Sequence, residues 1–228
     1  MKRAYLHPLP LRVWHWVNAL VAALLLITGI ELREAGIPDL PPHSTALLIH
    51  RYAGWAMVVS CVLWLTYSLA SGHLGRHYKL RRGDIKGILS QAKFYAWSMF
   101  KGEKNPFRPS PGDKFNPLQK VAYGAVMCIL TPVLVVTGLA FSGVPIVRGY
   151  MLLWNMAKPL NAVHVIGAYL FALYLVVHVY MATLGKTPFS HIKAMIVGYE
   201  EEPVASEGED RMQHLMPGSR PETGSADV

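Results

Sequence analysis

Residues 161–184, NAVHVIGAYLFALYLVVHVYMATL, constrain the fold more than any other stretch of this 228-residue chain. They are apolar and numerous enough to cross a membrane as one helix, yet they include His164 and His178. These two histidines are 14 residues apart, which in an α-helix amounts to about 21 Å along the axis and about 40° short of four full turns. Ionisable residues inside a membrane are costly and typically mark function. Two imidazoles on one face, at two depths, indicate two stacked cofactors.

The composition extends this conclusion to the rest of the chain, because 52% of the residues are hydrophobic and 16% are charged. Apolar runs of spanning length occupy residues 13–30, 45–71, 121–141 and 161–184. Helices and closed barrels alone satisfy the backbone in lipid. We therefore predict an all-α integral membrane protein, a four-transmembrane-helix bundle formed by residues 1–199 that holds the two stacked cofactors. Cys61 and Cys128 lie in apolar runs and are expected to be small core residues.

The charges of the loops predict the orientation of the bundle. The chain has 22 Lys and Arg residues against 14 Asp and Glu residues. Eleven of the bases fall in loop 72–120 with three acids, whereas residues 31–44 carry one base and three acids. Because cytoplasmic loops are enriched in Lys and Arg, both termini and loop 72–120 are predicted to be cytoplasmic. Membrane lipid rather than nucleic acid accounts for the basic excess.

Two cytoplasmic segments have patterns of their own. Residues 84–101 are predicted to form a helix that lies on the inner leaflet, with Asp84 as its N-cap and Gly102 just past its end. Its apolar face would consist of Ile85, Ile88, Leu89, Ala92, Tyr95 and Phe100. Residues 200–228 contain eight acids and two bases and are predicted to be a disordered acidic tail.

Two further histidines lie at membrane depth. His15 enters the first span from the cytoplasm and His50 enters the second span from outside, so depth pairs His50 with His164 and His15 with His178. Two imidazoles that face each other inside a bundle meet the requirement of bis-histidine haem ligation. The bundle is therefore predicted to bind two stacked haems. The other six histidines are expected to be solvated; they are His7, His43, His73, His77, His191 and His214.

Two arginines are candidates for pairing with haem propionates, which are anions that favour a membrane edge. Arg51 follows His50 directly and Arg12 precedes His15 by one turn. Snorkelling toward lipid headgroups is the alternative interpretation, and it suits Arg12 equally well.

Several of these stretches together resemble the prokaryotic di-haem cytochrome b family. They are RVWHWVNALVAALLLITG, HRYAG, KFNPLQK and the His-x13-His of the last span, and the resemblance covers about residues 5–195. The family comprises membrane subunits of formate dehydrogenases, nickel–iron hydrogenases and thiosulfate or polysulfide reductases. The first span and GEKNPFRPSPGDKFNPLQK are most similar to the thiosulfate-reductase-type branch.

The resemblance implies two haem b groups and electron exchange with a membrane quinone, menaquinone or ubiquinone, near the cytoplasmic haem. It also implies an iron–sulfur subunit and a catalytic oxidoreductase subunit on the extracytoplasmic side of the bacterial inner membrane, in anaerobic respiration. Carried over to this chain, the quinone site would include Asn116, Gln119 and Lys120. A structural interpretation stands beside that one, in which Asn116 caps a helix and Pro117 begins it.

Three other functions are compatible with parts of the pattern. A free-standing membrane cytochrome b reductase would purify without an iron–sulfur partner. A histidine-based metal-ion transporter would need carboxylates within the spans, and none falls inside the four predicted spans. A structural anchor for an external enzyme would leave the four histidines without a role.

Overall fold

The computed structural model describes residues 2–5, 7–34, 41–72, 84–103, 105–107, 116–142, 148–149, 155–184 and 187–202. The described helices are α1 (Leu9–Arg33), α2 (His43–Ala70), α3 (Asp84–Ala96), α4 (Pro117–Phe141), α5 (Ala157–Ala182) and α6 (Ser190–Val197). A 3₁₀ turn at Ser98–Lys101 follows α3, and strands β1 (Lys2–Tyr5) and β2 (Tyr199–Glu202) complete the set.

Four of these helices, α1, α2, α4 and α5, are long and apolar enough to cross a membrane. The prediction of a multi-pass helical membrane protein is therefore confirmed. The helices start up to four residues earlier than the apolar runs, because proline opens them: Pro10 lies in the first turn of α1 and Pro117 is the first residue of α4. Proline suits this position, where its missing N–H has no helical partner.

The four long helices form two packed pairs. α1 packs along α2, the second half of α4 packs along α5, and α2 also contacts α4. Large apolar side chains on the outer faces of the four helices remain more than half exposed, as at Leu20, Leu63, Ile129 and Leu173. Lipid is the solvent that makes such a surface stable.

α4 changes its winding near its middle, where Val126–Leu130 is π-helical between α-helical Pro117–Ala125 and Thr131–Phe141. Pro132 lies just beyond this segment, and a proline ring collides with the carbonyl one turn earlier in an α-helix. Widening the preceding turn relieves that collision. Cys128, within the widened turn, is exposed and Cys61 is half-buried, so the prediction that both are core residues is wrong for Cys128.

α3 crosses the start of α4 at the cytoplasmic end predicted from the charges. A Cβ on Gly87 would lie 2.8 Å from Cγ of Pro117, so only glycine allows this approach. The helix ends at Ala96, and the chain turns through the 3₁₀ segment to Gly102 at φ 73°. The predicted single helix over 84–101 is thus broken near Trp97, whose φ of −144° is not helical.

Three residues of the predicted apolar face point outward from the protein, whereas Phe94 of α3 is buried. Ile85, Leu89 and Phe100 are each more than two-thirds exposed, whereas Gln91 is buried and donates to Oδ1 of Asn105 at 3.1 Å. An outward apolar face is the arrangement that the predicted position on the lipid surface needs. Asp84 lies inside the helix as its first residue rather than before it.

The two ends of the described chain meet at one end of the bundle. β1 pairs antiparallel with β2, in a register that sets Lys2 opposite Glu202 and Tyr5 opposite Tyr199. The fold is mostly helical, as predicted, with this small sheet added, and residues 200–202 of the predicted acidic tail lie in β2. Residues 203–228 lie outside the described residues.

Candidate functional site

The first histidine pair joins the two helix pairs. His50 on α2 and His164 on α5 each lie seven residues after the first residue of their helix. Their ring centroids are 6.3 Å apart with the ring planes at 74°. The Phe141 ring at the end of α4 lies 6.4 Å from the His164 ring. We call His50 and His164 the outer pair, after the membrane face that the loop charges predict.

Each ring of the outer pair contacts a Thr-Gly dipeptide on the neighbouring helix. Oγ1 of Thr28 on α1 lies 2.9 Å from Nδ1 of His50, and Oγ1 of Thr137 on α4 lies 2.8 Å from Nδ1 of His164. The glycine after each threonine leaves room for the ring: a Cβ on Gly138 would lie 3.3 Å from Cε1 of His164. The His50 ring and the His164 ring are therefore held by the same kind of contact.

The second histidine pair lies at the opposite end of the bundle. His15 on α1 and His178 on α5 have ring centroids 6.2 Å apart, and we call them the inner pair. Tyr174 stacks on His178 at 5.7 Å between centroids, and Tyr123 on α4 approaches the same ring at 6.2 Å. Nδ1 of His15 is buried without a hydrogen-bond partner among the described residues.

A polar cluster occupies the contact between α3 and α4. Oδ1 of Asn116 accepts the backbone N–H of Gln119 at 2.8 Å, and Oε1 of Gln119 accepts the N–H of Asn116 at 3.1 Å. This reciprocal capping box starts α4, so the predicted helix start at Asn116 and Pro117 is confirmed. Nδ2 of Asn116 donates to the Tyr95 hydroxyl at 3.1 Å. Nζ of Lys120, a buried residue, lies 3.7 Å from a carboxylate oxygen of Asp84.

The two candidate arginines differ in their surroundings. Arg51 is exposed beside His50 on α2. Arg12 lies against the C-terminal segment, where Nη1 donates to the carbonyl oxygen of Ile196. Nε of Arg12 is buried and has no hydrogen-bond partner among the described residues. Arg12 therefore helps to fix α6 against α1, as does the Trp16 indole, which donates to the Met195 carbonyl at 3.2 Å.

Residues 6–198 match the family described as prokaryotic cytochrome b561. The chain belongs to this family.

Relatives that carry names support the same membership. Cytochrome YdhU of Escherichia coli K12 is 32% identical over 206 residues, which are 87% of this chain and 75% of that protein. A protein of Cupriavidus necator named as a Ni/Fe-hydrogenase B-type cytochrome subunit is 25% identical over 230 residues, with 87% of each chain covered. A Ni/Fe-hydrogenase 1 B-type cytochrome subunit of E. coli K12 is 22% identical over 200 residues, with 78% and 81% covered.

Membership of the cytochrome b561 family confirms the resemblance found in the sequence. The protein is a membrane b-type cytochrome of electron transfer, and haem b is the group that the family implies. The similarity to a thiosulfate-reductase-type branch stays a prediction.

The histidine pairs of this cytochrome fit haem. If both imidazoles of a pair held one metal through bonds of about 2.0 Å, their ring centroids would lie about 6.2 Å apart. The observed separations are 6.2 and 6.3 Å. Gly29 and Gly138 keep the space beside the outer rings free of side chains.

Sequence reasoning missed five residues around these sites: Thr28, Thr137, Tyr95, Tyr123 and Tyr174. One signal was available for the threonines, because ITG in the first span and VTG in the third repeat the same dipeptide. The Trp14 and Trp64 rings stack on each other at 6.3 Å between α1 and α2. Among the histidines expected to be solvated, His7 has a buried Nδ1, and His73, His77 and His214 lie outside the described residues.

Proposed function

We propose that this cytochrome b561-family protein binds two b haems, one at the outer pair His50 and His164 and one at the inner pair His15 and His178. The observation that carries the proposal is the facing of two histidine pairs, at 6.2 and 6.3 Å, at opposite ends of one bundle. The 14-residue spacing on α5 sets the two sites about 21 Å apart along that helix.

Haem supplies one-electron transfer when it is bound, and the protein sets its position and surroundings. The four histidines would hold the iron between apolar helices. Arg51, exposed near the outer pair, is available to a propionate there. Nε of Arg12 offers a buried N–H near the inner pair, while Nη1 stays bonded to Ile196. Charge-assisted bonds of this kind are about twice as strong as neutral ones.

A quinone site beside the inner pair is the second part of the proposal. Asn116, Gln119 and Lys120 gather at the start of α4, and Tyr123, one turn after Lys120, reaches the His178 ring. α4 therefore connects the polar cluster with the inner pair directly. The Tyr95 hydroxyl accepts from Asn116, so its own hydrogen is available to a quinone oxygen. This makes Tyr95 a candidate that the sequence did not suggest.

The third part of the proposal concerns orientation and partners. The basic residues of loop 72–120 favour a cytoplasmic position for the inner pair and for both chain ends. Two relatives are named as subunits of Ni/Fe-hydrogenases. By analogy, we place an iron–sulfur subunit and a catalytic oxidoreductase subunit on the extracytoplasmic face of a bacterial inner membrane. Electrons would then pass between those partners and menaquinone or ubiquinone.

The competing functions are separated by different observations. Co-purification with an iron–sulfur subunit distinguishes the subunit from a free-standing reductase. A metal-ion transporter is less well supported, because the membrane histidines stand in pairs. Within the described part of the chain no three His, Cys, Asp or Glu side chains are grouped to hold an ion.

Haem quantification of the purified protein tests the proposal. We expect two haem b per chain by pyridine haemochrome assay, both reduced by a quinol. One haem per chain would remove one of the two sites, and a haem-free protein would exclude the cytochrome function.

A further inference from the structure

The threonines that contact the outer pair distinguish it from the inner pair. We propose that Thr28 and Thr137 are positioning residues that fix the tautomer of His50 and His164 and thereby lower the midpoint potential of the outer haem alone. The inference rests on the proposed two-haem function.

The hydrogen bonds of Thr28 decide which nitrogen of His50 carries the proton. Oγ1 of Thr28 lies 2.6 Å from the carbonyl oxygen of Leu24, one turn earlier in α1. A carbonyl can only accept, so the single hydroxyl hydrogen is donated there. The contact of 2.9 Å between Oγ1 and Nδ1 of His50 then requires Nδ1 to donate. His50 is thus protonated at Nδ1, and its Nε2 keeps the lone pair that a metal needs.

Thr137 repeats this arrangement on α4. Its hydroxyl donates to the carbonyl oxygen of Val133 at 2.7 Å and accepts from Nδ1 of His164 at 2.8 Å. Donation to a carbonyl one turn earlier is not in itself unusual for a threonine in a membrane helix. Thr66 on α2 makes the same bond to Val62 at 2.8 Å, on an exposed face. The histidine contact is what distinguishes Thr28 and Thr137.

The inner pair is built differently. Nδ1 of His15 is buried without a partner, and neither inner histidine is bonded to a threonine among the described residues. The His178 ring is instead stacked on Tyr174. In the part of the chain that the structure describes, threonine acceptors thus contact the outer histidines and not the inner ones.

An acceptor on the second ring nitrogen makes a metal-bound imidazole more basic. A more basic ligand favours the oxidised iron, so hydrogen bonding around the ligands tunes a haem's potential. Two such bonds at the outer site and none of this kind at the inner site would separate the two potentials, with the outer haem lower.

Potentiometric titration of the haem-loaded protein tests the inference. Thr28→Val and Thr137→Val remove the hydroxyl and keep the shape, Thr28→Ser and Thr137→Ser keep the hydroxyl, and Thr66→Val is the matched control. The outer haem is identified as the spectral component that His50→Ala deletes. We expect each valine variant to raise the midpoint potential of that component only. Both serine variants and Thr66→Val should titrate as the wild type does.

The other possible outcomes either support the role of the hydroxyls or contradict it. A valine variant that loses the outer haem while its serine counterpart keeps it at the native potential also supports the role of the hydroxyl. Unshifted potentials in haem-loaded valine variants would overturn the inference, as would equal shifts of both components or identical behaviour of serine and valine. A wild-type protein without two haems would instead refute the proposed function.

Discussion

Both polar atoms of the Asn116 side-chain amide form hydrogen bonds, and a mutation can remove one bond while keeping the other. Oδ1 caps α4, while Nδ2 holds the Tyr95 hydroxyl of α3. The cap belongs to folding, whereas the Tyr95 contact belongs to the proposed quinone site. A variant that changes one end only therefore tells the two roles apart.

Asn116→Ala should lower the free energy of unfolding by about 1 kcal/mol through loss of the cap and should slow quinol-driven haem reduction. Asn116→Asp keeps the capping oxygen but loses the donor to Tyr95, so it should keep the stability and share the kinetic defect. Thermal unfolding and stopped-flow reduction by a quinol measure the two effects. Native quinol kinetics in both variants, with two haems bound, would remove Asn116 from the site.

Gly138 offers a second test at the outer pair. A new Cβ would lie 3.3 Å from Cε1 of His164, so Gly138→Ala should displace the ring and weaken retention of the outer haem. Gly54 on α2 has no atom within 4 Å of its Cβ position and is the matched control. Gly54→Ala should stabilise the helix by up to about 1 kcal/mol. Equal haem retention in the two variants would show that the space beside His164 is unimportant.

The histidines and the threonines show what the sequence can and cannot predict about single residues. Helix periodicity and span edges alone assigned His50 to His164 and His15 to His178, and the structure brings those rings together. The partners of Thr28 and Thr137 depend on how neighbouring helices are rotated. A threonine bonded within its own helix looks the same in sequence whether or not a histidine faces it, as Thr66 shows.

The docking of α3 on α4 depends on a buried ion pair as well as on Gly87. The side chain of Lys120 is 4% exposed and that of Asp84 is 15% exposed. Removing one member of a buried pair leaves the other charge in a poorly solvated position. The loss of stability therefore depends on which charged residue remains and on how deeply it is buried.

Asp84→Asn should destabilise the protein by roughly 3 kcal/mol, since it leaves the more deeply buried ammonium without this carboxylate. Lys120→Met should have a smaller effect, because Asp84 lies nearer to water. The double variant should lose less than the sum of the two. Unfolding free energies of the three variants measure this, and additive losses would show that the two residues do not interact.

The sequence predicts which segments form helices better than it predicts where those helices end or are interrupted. The apolar runs located all four spans, since lipid requires them. They could not show the π-helical turn before Pro132 or the break near Trp97. They could not show β2 either, because its partner β1 lies almost 200 residues away in the sequence.

The paired chain ends predict a common side for both termini, and the loop charges predict which side it is. A reporter fused within residues 72–120 or after residue 202 should report a cytoplasmic position, and one within residues 31–44 should report the outside. Paired reporters active on opposite membrane faces measure this. An outside signal from residues 72–120 would invert the bundle and exchange the outer and inner pairs.

Haem content and low-temperature difference spectra of the four single variants His15→Ala, His50→Ala, His164→Ala and His178→Ala test the two-haem arrangement most directly. Each variant should keep one haem of two. His15→Ala and His178→Ala should delete the same spectral component, and His50→Ala and His164→Ala should delete the other. If His15→Ala and His164→Ala deleted one component together, or if all four variants kept two haems, the arrangement would be contradicted.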